Sequence, residues 1–591
     1  MRSCIVNFFS SVAPVRVPHG DVFPVSLVGA TRSCGQLDAM VQENCGEFAE
    51  DVVIEDRVLK STVEDLQIPD VDFATFLRNT WKKEPDAVAI IDAASGKRYT
   101  CAELEDICER IAAGFQELGL RRGDTVAFVS SNSVDLVAAF IAAAFAGAVI
   151  VCVKTTYNER EMAGLLKLTK PTMVYCDMQN VAKVTDVSKD VPSVKALVAA
   201  GEYCGAVNVA ALKDKPRSHF KSPAPASPHD LFTVFQSSGS TGLPKAGLIT
   251  HRNFIAELVT FSYKNDGLHK GDVFLGYLPL MHAGPIWLLF TMLTQQVQVV
   301  LLAAVDLALV LASIAKYRVT TLTLYPTHGQ HIVQRGLPLS LDVSSVQWLF
   351  IAGSSIPPQV LRQLAQTFRG STVIHGYGLT ESCCAVTHTR RMCRDFKSSG
   401  IPMPYVNLKV VDVETRKKLP PGEAGEILVK GPTCFKGYLD MAEATAAVFD
   451  EEGFLKTGDT GYYTASGELY VLDRMKDLVK CMDQQVAPAE LEELLQEHEE
   501  VAQAAVAGVP HPEYGEAARA FVVLKAMPAT ADKRREMELA LIAYIKNLVA
   551  PHKQLHGGVQ FMDAIPQTET GKPHRRQLRD AYVATHKEAP Q

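Results

Sequence analysis

The 591-residue sequence lacks an excess of positive charge, and its thirteen cysteines show no metal-binding or disulfide pattern. A net charge of −7 gives no electrostatic reason to expect nucleic acid as a partner. No C-x-x-C pair occurs, and Cys383 and Cys384 are adjacent, which suits neither a zinc site nor a small disulfide framework. We therefore expect reduced thiols, an intracellular protein and no nucleic-acid partner.

The sequence also lacks a convincing membrane span. Its longest apolar run, residues 136–153, covers about 18 residues, close to the minimum for crossing a bilayer. The first part of this run is rich in alanine, Gly147 interrupts it, and residues 149–151 are β-branched. This pattern predicts a buried helix, a glycine at its carboxyl end and a strand, and no membrane span.

Neither end of the chain carries a clear targeting signal. Arg2 and Arg16 precede the first acid, Asp21, which is compatible with a mitochondrial leader and equally with a disordered one. The last residues, 587–591, are not a peroxisomal signal. We expect a cytoplasmic or mitochondrial protein in which residues 1–50 form an extension or a leader.

The length of the chain predicts more than one domain, and 47% hydrophobic residues indicate well-formed cores. Thr100 and Glu103 form a predicted capping box before an apolar helical stripe, and a strand over residues 125–129 follows. Short apolar strands then alternate with helical stretches: 173–175, 319–325, 348–351 and 373–374. This alternation predicts the α/β class with largely parallel sheets.

After Gly400 the pattern changes to β segments separated by turns, such as residues 408–413 and 425–430, which predicts a small barrel or sheet. Beyond residues 474–477, an acidic helix, two strands and a helix over 535–548 predict a separate small α+β domain. The expected domains are therefore 51–475 and 476–591.

The most informative segment is FQSSGSTGLPKAGLIT, residues 235–250. Glycines let the backbone approach an anion, hydroxyls donate hydrogen bonds, and one lysine adds a point charge, so the segment suits a triphosphate. It is not a Walker loop, because G-x-x-x-x-G-K-[ST] is absent, and a polar surface turn is the alternative. The candidate phosphate ligands are Ser237, Ser238, Gly239, Ser240, Thr241, Gly242 and Lys245.

A second cluster, Y-G-L-T-E at residues 377–381, follows a predicted strand, where open α/β sheets bind ligands. The ring of Tyr377 can stack on a purine, the hydroxyl of Thr380 can contact phosphate, and the carboxylate of Glu381 can hold Mg²⁺. Three further candidates lie downstream. Asp459 in a Thr-Gly-Asp turn suits ribose hydroxyls, Arg474 can hold the nucleotide, and Lys572 lies on a glycine loop. Alone, each of these could be an ordinary turn or a solvated side chain. Their occurrence together, in this order along the chain, favours a nucleotide site.

Ten motifs occur in one order along the chain: S-S-G-S-T-G-L-P-K (237–245), L-P-L-M-H (278–282), G-S-S-I-P (353–357), Y-G-L-T-E (377–381), G-E-A-G-E-I (422–427), G-Y (437–438), T-G-D (457–459), D-R-M-K-D (473–477), V-A-P-A-E (486–490) and T-G-K (570–572). Together they resemble the adenylate-forming superfamily of acyl-CoA synthetases, aryl-CoA ligases, firefly-type luciferases and peptide-synthetase adenylation domains. The similarity covers residues 54–579 and is strongest to the 4-coumarate-CoA ligase and luciferase branch.

The resemblance implies a fold and a reaction. The expected fold is α/β, with a large N-terminal domain of two doubly wound α/β subdomains plus a small β-barrel, then a small mobile α+β domain. The implied reaction joins a small-molecule carboxylate to ATP, giving acyl-AMP and pyrophosphate, and then transfers the acyl group to CoA. Mg²⁺ is the implied metal, and a monomer or homodimer is expected.

Residue roles are carried over motif by motif. The resemblance implies that residues 237–241 and Lys245 cradle the β and γ phosphates, that Thr380 contacts phosphate, and that Glu381 holds Mg²⁺. Adenine is expected between Tyr377 and a segment formed by Gly353, Ser354 and Ser355, with Asp459 and Arg474 on the ribose. Lys572 is expected to bridge the substrate carboxylate and the α-phosphate.

The remaining roles concern the acyl group and the second step. His282 corresponds to the residue at the entrance of the acyl pocket, and the expected pocket residues are Gly353, Gly376, Gly378 and His328. Lys476 is the implied hinge, about which the small domain rotates. Lys480 then enters the site for thioester formation while Lys572 leaves.

Some positions depart from the family pattern. Asp483 stands three residues after Lys480 where the family has a glycine lining the pantetheine passage, and it adds bulk and negative charge there. Gln567, Pro573 and Ala246 are smaller departures. Three hypotheses therefore stay open: a CoA ligase for a fatty or aromatic acid, an adenylating enzyme with another second step, and a catalytically quiet nucleotide-binding protein.

Overall fold

The computed structural model describes residues 52–63, 66–237, 245–264, 267–303, 306–338, 340–353, 356–390, 395–482, 484–549, 551–568 and 571–586. Among these, the helices in chain order are α1 (Phe73–Trp81), α2 (Cys101–Glu117), α3 (Val134–Phe145), α4 (Glu159–Thr169), α5 (Val181–Ser188), α6 (Val209–Lys213), α7 (His251–Lys264), α8 (Ala283–Thr294), α9 (Leu307–Tyr317), α10 (Pro326–Arg335), α11 (Pro358–Thr367), α12 (Ala442–Ala447), α13 (Pro488–Glu497), α14 (Ala531–Leu548) and α15 (Arg575–His586).

The strands in chain order are β1 (Val52–Glu55), β2 (Val58–Ser61), β3 (Val88–Asp92), β4 (Arg98–Thr100), β5 (Thr125–Val129), β6 (Val149–Cys152), β7 (Met173–Cys176), β8 (Ala196–Ala199), β9 (Val207–Asn208), β10 (Leu231–Ser237), β11 (Lys245–Thr250), β12 (Val273–Gly276), β13 (Gln298–Leu301), β14 (Thr321–Leu324), β15 (Trp348–Ile351), β16 (Thr372–His375), β17 (Gly378–Leu379), β18 (Cys384–Ala385), β19 (Thr387–His388), β20 (Ile401–Pro402), β21 (Asn407–Val411), β22 (Gly425–Lys430), β23 (Gly437–Tyr438), β24 (Leu455–Tyr463), β25 (Leu469–Arg474), β26 (Val479–Cys481), β27 (Gln484–Val486), β28 (Val501–His511), β29 (Gly515–Leu524) and β30 (Val559–Phe561).

Two largely parallel sheets form the large N-terminal domain, as the alternation of strands and helices predicted. The first has the order β23-β11-β10-β6-β5-β7-β8-β9, and the second has the order β16-β15-β14-β12-β13-β3-β4. Antiparallel pairing is confined to one edge of each sheet, at β23 and β11 in the first and at β4 in the second. This arrangement confirms the α/β class.

Local signals explain why individual elements begin where they do. Both halves of the predicted capping box are present, because the Thr100 N–H donates to Glu103 Oε2 (2.9 Å) and the Glu103 N–H donates to Thr100 Oγ1 (3.2 Å). The alanine-rich run forms α3, Gly147 follows it with a φ of 75°, and β6 comes next. Among the described residues, none of the helices has the length and apolar character needed to cross a membrane.

Aromatic side chains fill the core between the two large sheets. Phe73 of α1 stacks on Phe232 of β10 with ring centroids 4.6 Å apart, and Phe290 of α8 meets its edge at 4.9 Å. Phe140 of α3 packs on Phe290 at 5.3 Å. All four side chains are fully buried, so this cluster fixes the helices between the sheets.

The segment after Gly400 contributes β21, β22, β24 and β25 to an antiparallel six-stranded sheet, which β1 and β2 from the start of the described chain complete in the order β1-β2-β21-β22-β24-β25. The expected small barrel is not confirmed, because the described edge strands β1 and β25 do not pair with each other. The smaller C-terminal domain has the sheet order β27-β26-β29-β28, and β30 pairs in parallel with β29. Helices α13, α14 and α15 accompany this sheet, in agreement with the predicted α+β class.

Candidate active site

Four neighbouring parallel strands deliver predicted site residues to one edge of the second sheet. The strands β16, β15, β14 and β12 lie side by side, and their carboxyl ends lead to Tyr377, Gly353, His328 and His282. Because parallel strands end at the same edge of a sheet, residues scattered over the sequence converge there.

Tyr377, Asp459 and Arg474 form a connected group. The Tyr377 hydroxyl donates to Asp459 Oδ2 (2.6 Å), and Arg474 Nε lies 3.2 Å from Asp459 Oδ1. Asp459 faces Arg474 directly across the antiparallel pair of β24 and β25. Burial raises the pKa of Asp459, although the Arg474 charge opposes this effect. The structure thus brings together three residues that the sequence assigned to the nucleotide.

Lys572 belongs to the same electrostatic group although it comes from the C-terminal domain. Its loop is a turn in which the Thr568 N–H donates to the Lys572 carbonyl (2.8 Å) and the Gly571 N–H donates to the Thr568 carbonyl (2.9 Å). The pKa of Lys572 is lowered to about 8. Burial is the largest cause, repulsion by Arg474 acts in the same direction, and attraction by Asp459 opposes the shift.

The Lys572 loop packs directly on the large domain. Gly571 has a φ of 79°, and a Cβ on it would lie 2.1 Å from Thr327 Cγ2. Thr327 precedes His328 in α10, so the loop lies against the wall of the predicted acyl pocket. Only glycine combines this conformation with this close approach.

Glu381 forms a second group with Tyr438 and Lys245. The Tyr438 hydroxyl donates to Glu381 Oε1 (2.8 Å), and Lys245 Nζ lies 5.0 Å from the centre of the Tyr438 ring. Strand β23, which carries Tyr438, pairs with β11, which begins at Lys245. Tyr438 belongs to a recognised motif, but sequence analysis gave it no role, because a long-range contact leaves no local signal.

The predicted phosphate-binding segment joins two antiparallel strands. Ser237 ends β10 and lies opposite Lys245 at the start of β11. The predicted ligands Ser238, Gly239, Ser240, Thr241 and Gly242 lie outside the described residues. The strand pair therefore places the two ends of the loop beside the Tyr438 and Glu381 group.

Asn132 holds the segment that leads to His282, and sequence analysis did not identify it. Its side-chain amide donates to the Leu278 carbonyl and accepts from the Leu280 N–H, both at 2.9 Å. His282 immediately precedes α8. Asn132 is buried, so its two hydrogen bonds fix this segment rigidly.

The predicted acyl-pocket residues have tight surroundings. His328 Nδ1 lies 2.9 Å from the Tyr277 hydroxyl, and burial lowers the pKa of His328 to about 4. Gly353 lies against the Tyr325 ring. A Cβ on Gly376 or Gly378 would lie 2.2 Å or 1.6 Å from a backbone oxygen, so no larger residue fits at either position. Close packing alone therefore explains why Gly376 and Gly378 are glycines. Their contact with an acyl group stays a prediction.

The residues that the resemblance assigns to the second half-reaction lie at the start of the C-terminal domain. Lys480 pairs with Gln485 in the hairpin of β26 and β27, and Lys476 lies in a one-turn helix, Met475–Asp477. Thr380 begins the short helix Thr380–Ser382, whereas Ser354, Ser355 and Asp483 lie outside the described residues.

Comparison with known proteins adds independent findings. A family model described as AMP-binding enzyme matches residues 77–439, and one described as AMP-binding enzyme C-terminal domain matches residues 490–572. Luciferin 4-monooxygenase of Nipponoluciola cruciata is 32% identical over 509 residues, which cover 84% of this chain and 91% of that protein. The 4-coumarate–CoA ligase of Pinus taeda is 30% identical over 541 residues, which cover 90% of this chain and 98% of that protein.

A solved structure shows the same architecture. ATP-bound MatB from Rhodopseudomonas palustris is 26% identical, has a TM-score of 0.79, and is matched over 87% of this chain and 99% of its own.

Proposed function

The chain belongs to the AMP-binding enzyme family, and from this premise we propose that it activates a fatty or aryl carboxylic acid with ATP and transfers the acyl group to CoA. In the first step a carboxylate oxygen attacks the α-phosphorus, the bond between the α- and β-phosphates breaks, and pyrophosphate leaves. In the second step the CoA sulfur attacks the acyl carbon, and AMP leaves.

The observation that carries this proposal is the position of Lys572. Its neighbour Gly571 packs against Thr327 of the large domain, and the charges of Arg474 and Asp459 both act on the pKa of Lys572. A cation in this position can stabilise the negative charge that builds on the α-phosphate and the incoming carboxylate. Little covalent chemistry is required of the protein, so positioning and charge neutralisation would account for most of the acceleration.

The large domain supplies the other proposed contacts. Lys245 and the loop after Ser237 would hold the β and γ phosphates, Thr380 would contact phosphate, and Tyr377 would stack on adenine. Asp459 and Arg474 would hold the ribose. His282 would lie at the entrance of the acyl pocket, and His328 would line its wall.

Glu381 would hold the Mg²⁺ that accompanies ATP. Among the described residues no group of three or more metal-binding side chains occurs. A single carboxylate suits a magnesium ion, which commonly takes its remaining oxygens from phosphate and water. When bound, the ion supplies positive charge that neutralises the phosphates.

The second half-reaction needs a different arrangement of the C-terminal domain. We propose that residues 476–591 rotate about Lys476, so that Lys572 leaves the site and Lys480 enters it.

A second candidate function, an adenylating enzyme with another acyl acceptor or an oxygenation step, has two observations in its favour. The 32% identity to a luciferin 4-monooxygenase is one. Asp483, beside the expected pantetheine passage, is the other.

A panel of fatty and aryl acids tests the proposal in two stages. Acid-dependent pyrophosphate release is measured first, and CoA-dependent release of AMP is measured next for every acid that supports it. Release of both products with one acid supports the CoA ligase. Pyrophosphate release without a CoA ester would favour the second candidate, and ATP binding without release for any acid would favour a catalytically quiet protein.

A further inference from the structure

Asp473 provides a helix cap across the boundary between the two domains. It lies in β25 of the large domain, with only 6% of its side chain exposed. Its Oδ2 accepts a hydrogen bond from the Ala489 N–H (2.9 Å), in the first turn of α13. The residue before α13, Ala487, gives no side-chain cap. An acid of the large domain therefore caps a helix of the C-terminal domain, where a negative charge is favourable.

Arg575 of the C-terminal domain faces the same carboxylate. Its guanidinium makes two hydrogen bonds to Glu492 (3.0 and 2.9 Å) and donates through Nε to the Val506 carbonyl (3.1 Å). These contacts fix the arginine within its own domain. Arg575 Nη2 then lies 4.0 Å from Asp473 Oδ2, and Arg575 Nη1 lies 3.7 Å from Asp477 Oδ2.

The two acids lie on opposite sides of the proposed hinge. If the domain rotates about Lys476, Asp477 moves with Arg575 and can keep its ion pair. Asp473 stays with the large domain and loses both Ala489 and Arg575. Its contacts therefore exist only when the C-terminal domain has its present orientation, in which the Gly571 loop packs on Thr327.

We propose that Asp473 is a positioning residue that holds the C-terminal domain in the orientation for adenylation and so sets the balance between the two half-reactions. This inference rests on the proposed function. A contact that is made in only one of two orientations stabilises that orientation. The ratio of the two populations then changes by a factor set by the free energy of the contact.

The test compares D473N with the matched control D477N. Both substitutions remove one negative charge near Arg575, but only the first removes it from the large domain. We expect D473N to lower the ratio of pyrophosphate release to thioester formation from supplied acyl-AMP by about tenfold, since the negative charge that strengthens the cap and attracts Arg575 is lost in one orientation only. D477N is expected to leave that ratio unchanged. Asp473→Glu, which keeps the charge but displaces the cap, is expected to give an intermediate ratio.

A second readout does not depend on activity. Lys397 Nζ of the large domain lies 3.1 Å from Glu493 Oε1 of α13. Cysteines at these two positions, joined by a short thiol cross-linker, report the present orientation through the yield of the 397–493 product. We expect this yield to fall several-fold in the D473N background and to stay constant in the D477N background.

The outcomes separate this inference from the proposed function. An unchanged ratio with an unchanged cross-link yield in D473N would overturn the positioning role. An equal loss of both half-reactions would also overturn it. That result would indicate instead that Asp473 positions Arg474, whose backbone N–H donates to Asp473 Oδ1 (2.8 Å). If the wild-type protein activates no acid, the proposed function fails, while the cross-link comparison still tests the orientation.

Discussion

Tyr377 donates a 2.6 Å hydrogen bond to Asp459, although 82 residues separate them in the chain. This bond joins the carboxyl edge of the second parallel sheet to the antiparallel sheet that contains Asp459. A candidate stacking residue and a candidate ribose ligand are thereby fixed relative to each other before any nucleotide binds.

Replacing Tyr377 by Phe should weaken nucleotide binding and leave the fold intact. The ring stays available for stacking, but buried Asp459 loses a hydrogen-bond donor. We expect a KM for ATP about five- to tenfold higher, equivalent to about 1 kcal/mol or slightly more. Steady-state pyrophosphate release over an ATP series measures it.

Tyr470→Phe is the matched control for that substitution. Tyr470 also donates to an aspartate, Asp395 (2.7 Å), but this bond is exposed at the surface. Its removal is expected to leave the KM for ATP unchanged. Equal KM values for Tyr377→Phe and the wild type would show that the bond to Asp459 does not organise the nucleotide site.

Several features of the fold and of the candidate site could be predicted from the sequence, and others could not. The Thr100 capping box, the strand over 125–129 and the position of Tyr377 after a strand follow from local patterns, whereas His282 was assigned through the family resemblance. The partner of Glu381 and the cap that Asp473 gives to α13 depend on chain folding over long separations, which leaves no periodic signal. The small barrel is not confirmed for the described strands, because turn-rich β segments suit an open antiparallel sheet equally well.

Replacing Lys572 by Ala should separate the two half-reactions. The substitution removes the cation beside Asp459, so we expect acid-dependent pyrophosphate release to fall at least about a hundredfold. Thioester formation from supplied acyl-AMP is expected to stay within about twofold of wild type, because the proposed rotation takes Lys572 out of the site before that step. Single-turnover assays of each step measure the two rates.

Lys553→Ala controls for the loss of a lysine in the same domain. Lys553 lies in the short helix Pro551–Lys553 and pairs with Glu490 (2.7 Å) of its own domain. Neither half-reaction is expected to change in this variant. Loss of both half-reactions in Lys572→Ala, or of neither, would contradict the assignment of Lys572 to adenylation.

The low pKa of Lys572 predicts a pH limit on adenylation. Burial and Arg474 lower this pKa to about 8, below the ordinary value for lysine. The proposed role requires the protonated form, so kcat/KM for acid-dependent pyrophosphate release should fall as pH rises through about 8. Lys572→Arg keeps its charge over this range and should abolish the decline, whatever its maximal rate. An identical alkaline limb in both proteins would assign the limit to another group.

Gly571→Ala tests the contact between the Lys572 loop and Thr327. A Cβ at this position would meet Thr327 Cγ2 at 2.1 Å, so the loop can no longer approach the large domain. We expect pyrophosphate release to fall about tenfold or more, since small displacements of a catalytic group are costly. Thioester formation from supplied acyl-AMP should be retained. Gly96→Ala, at a φ of 72° with open space around it, controls for backbone strain alone.

Glu257 gives a prediction about stability that is independent of catalysis. It is fully buried in α7, its Oε1 accepts from the Ala385 N–H (2.5 Å), and its Oε2 has no hydrogen-bond partner among the described residues. Burial raises the pKa of Glu257 well above its ordinary value. The unfolded chain ionises this group at lower pH than the folded chain does. Its contribution to stability is therefore present at low pH and is lost as pH rises above the unfolded value.

Glu257→Gln removes this titration while it keeps an oxygen for the Ala385 N–H. We expect the free energy of unfolding to decline less between pH 5 and pH 8 in the variant than in the wild type, by about 1 kcal/mol or more, because each unit of pKa shift is worth about 1.4 kcal/mol. Urea unfolding at a series of pH values measures the difference. Parallel pH profiles for the two proteins would mean that Glu257 is solvated or paired in solution, and that its buried carboxyl does not oppose folding at neutral pH.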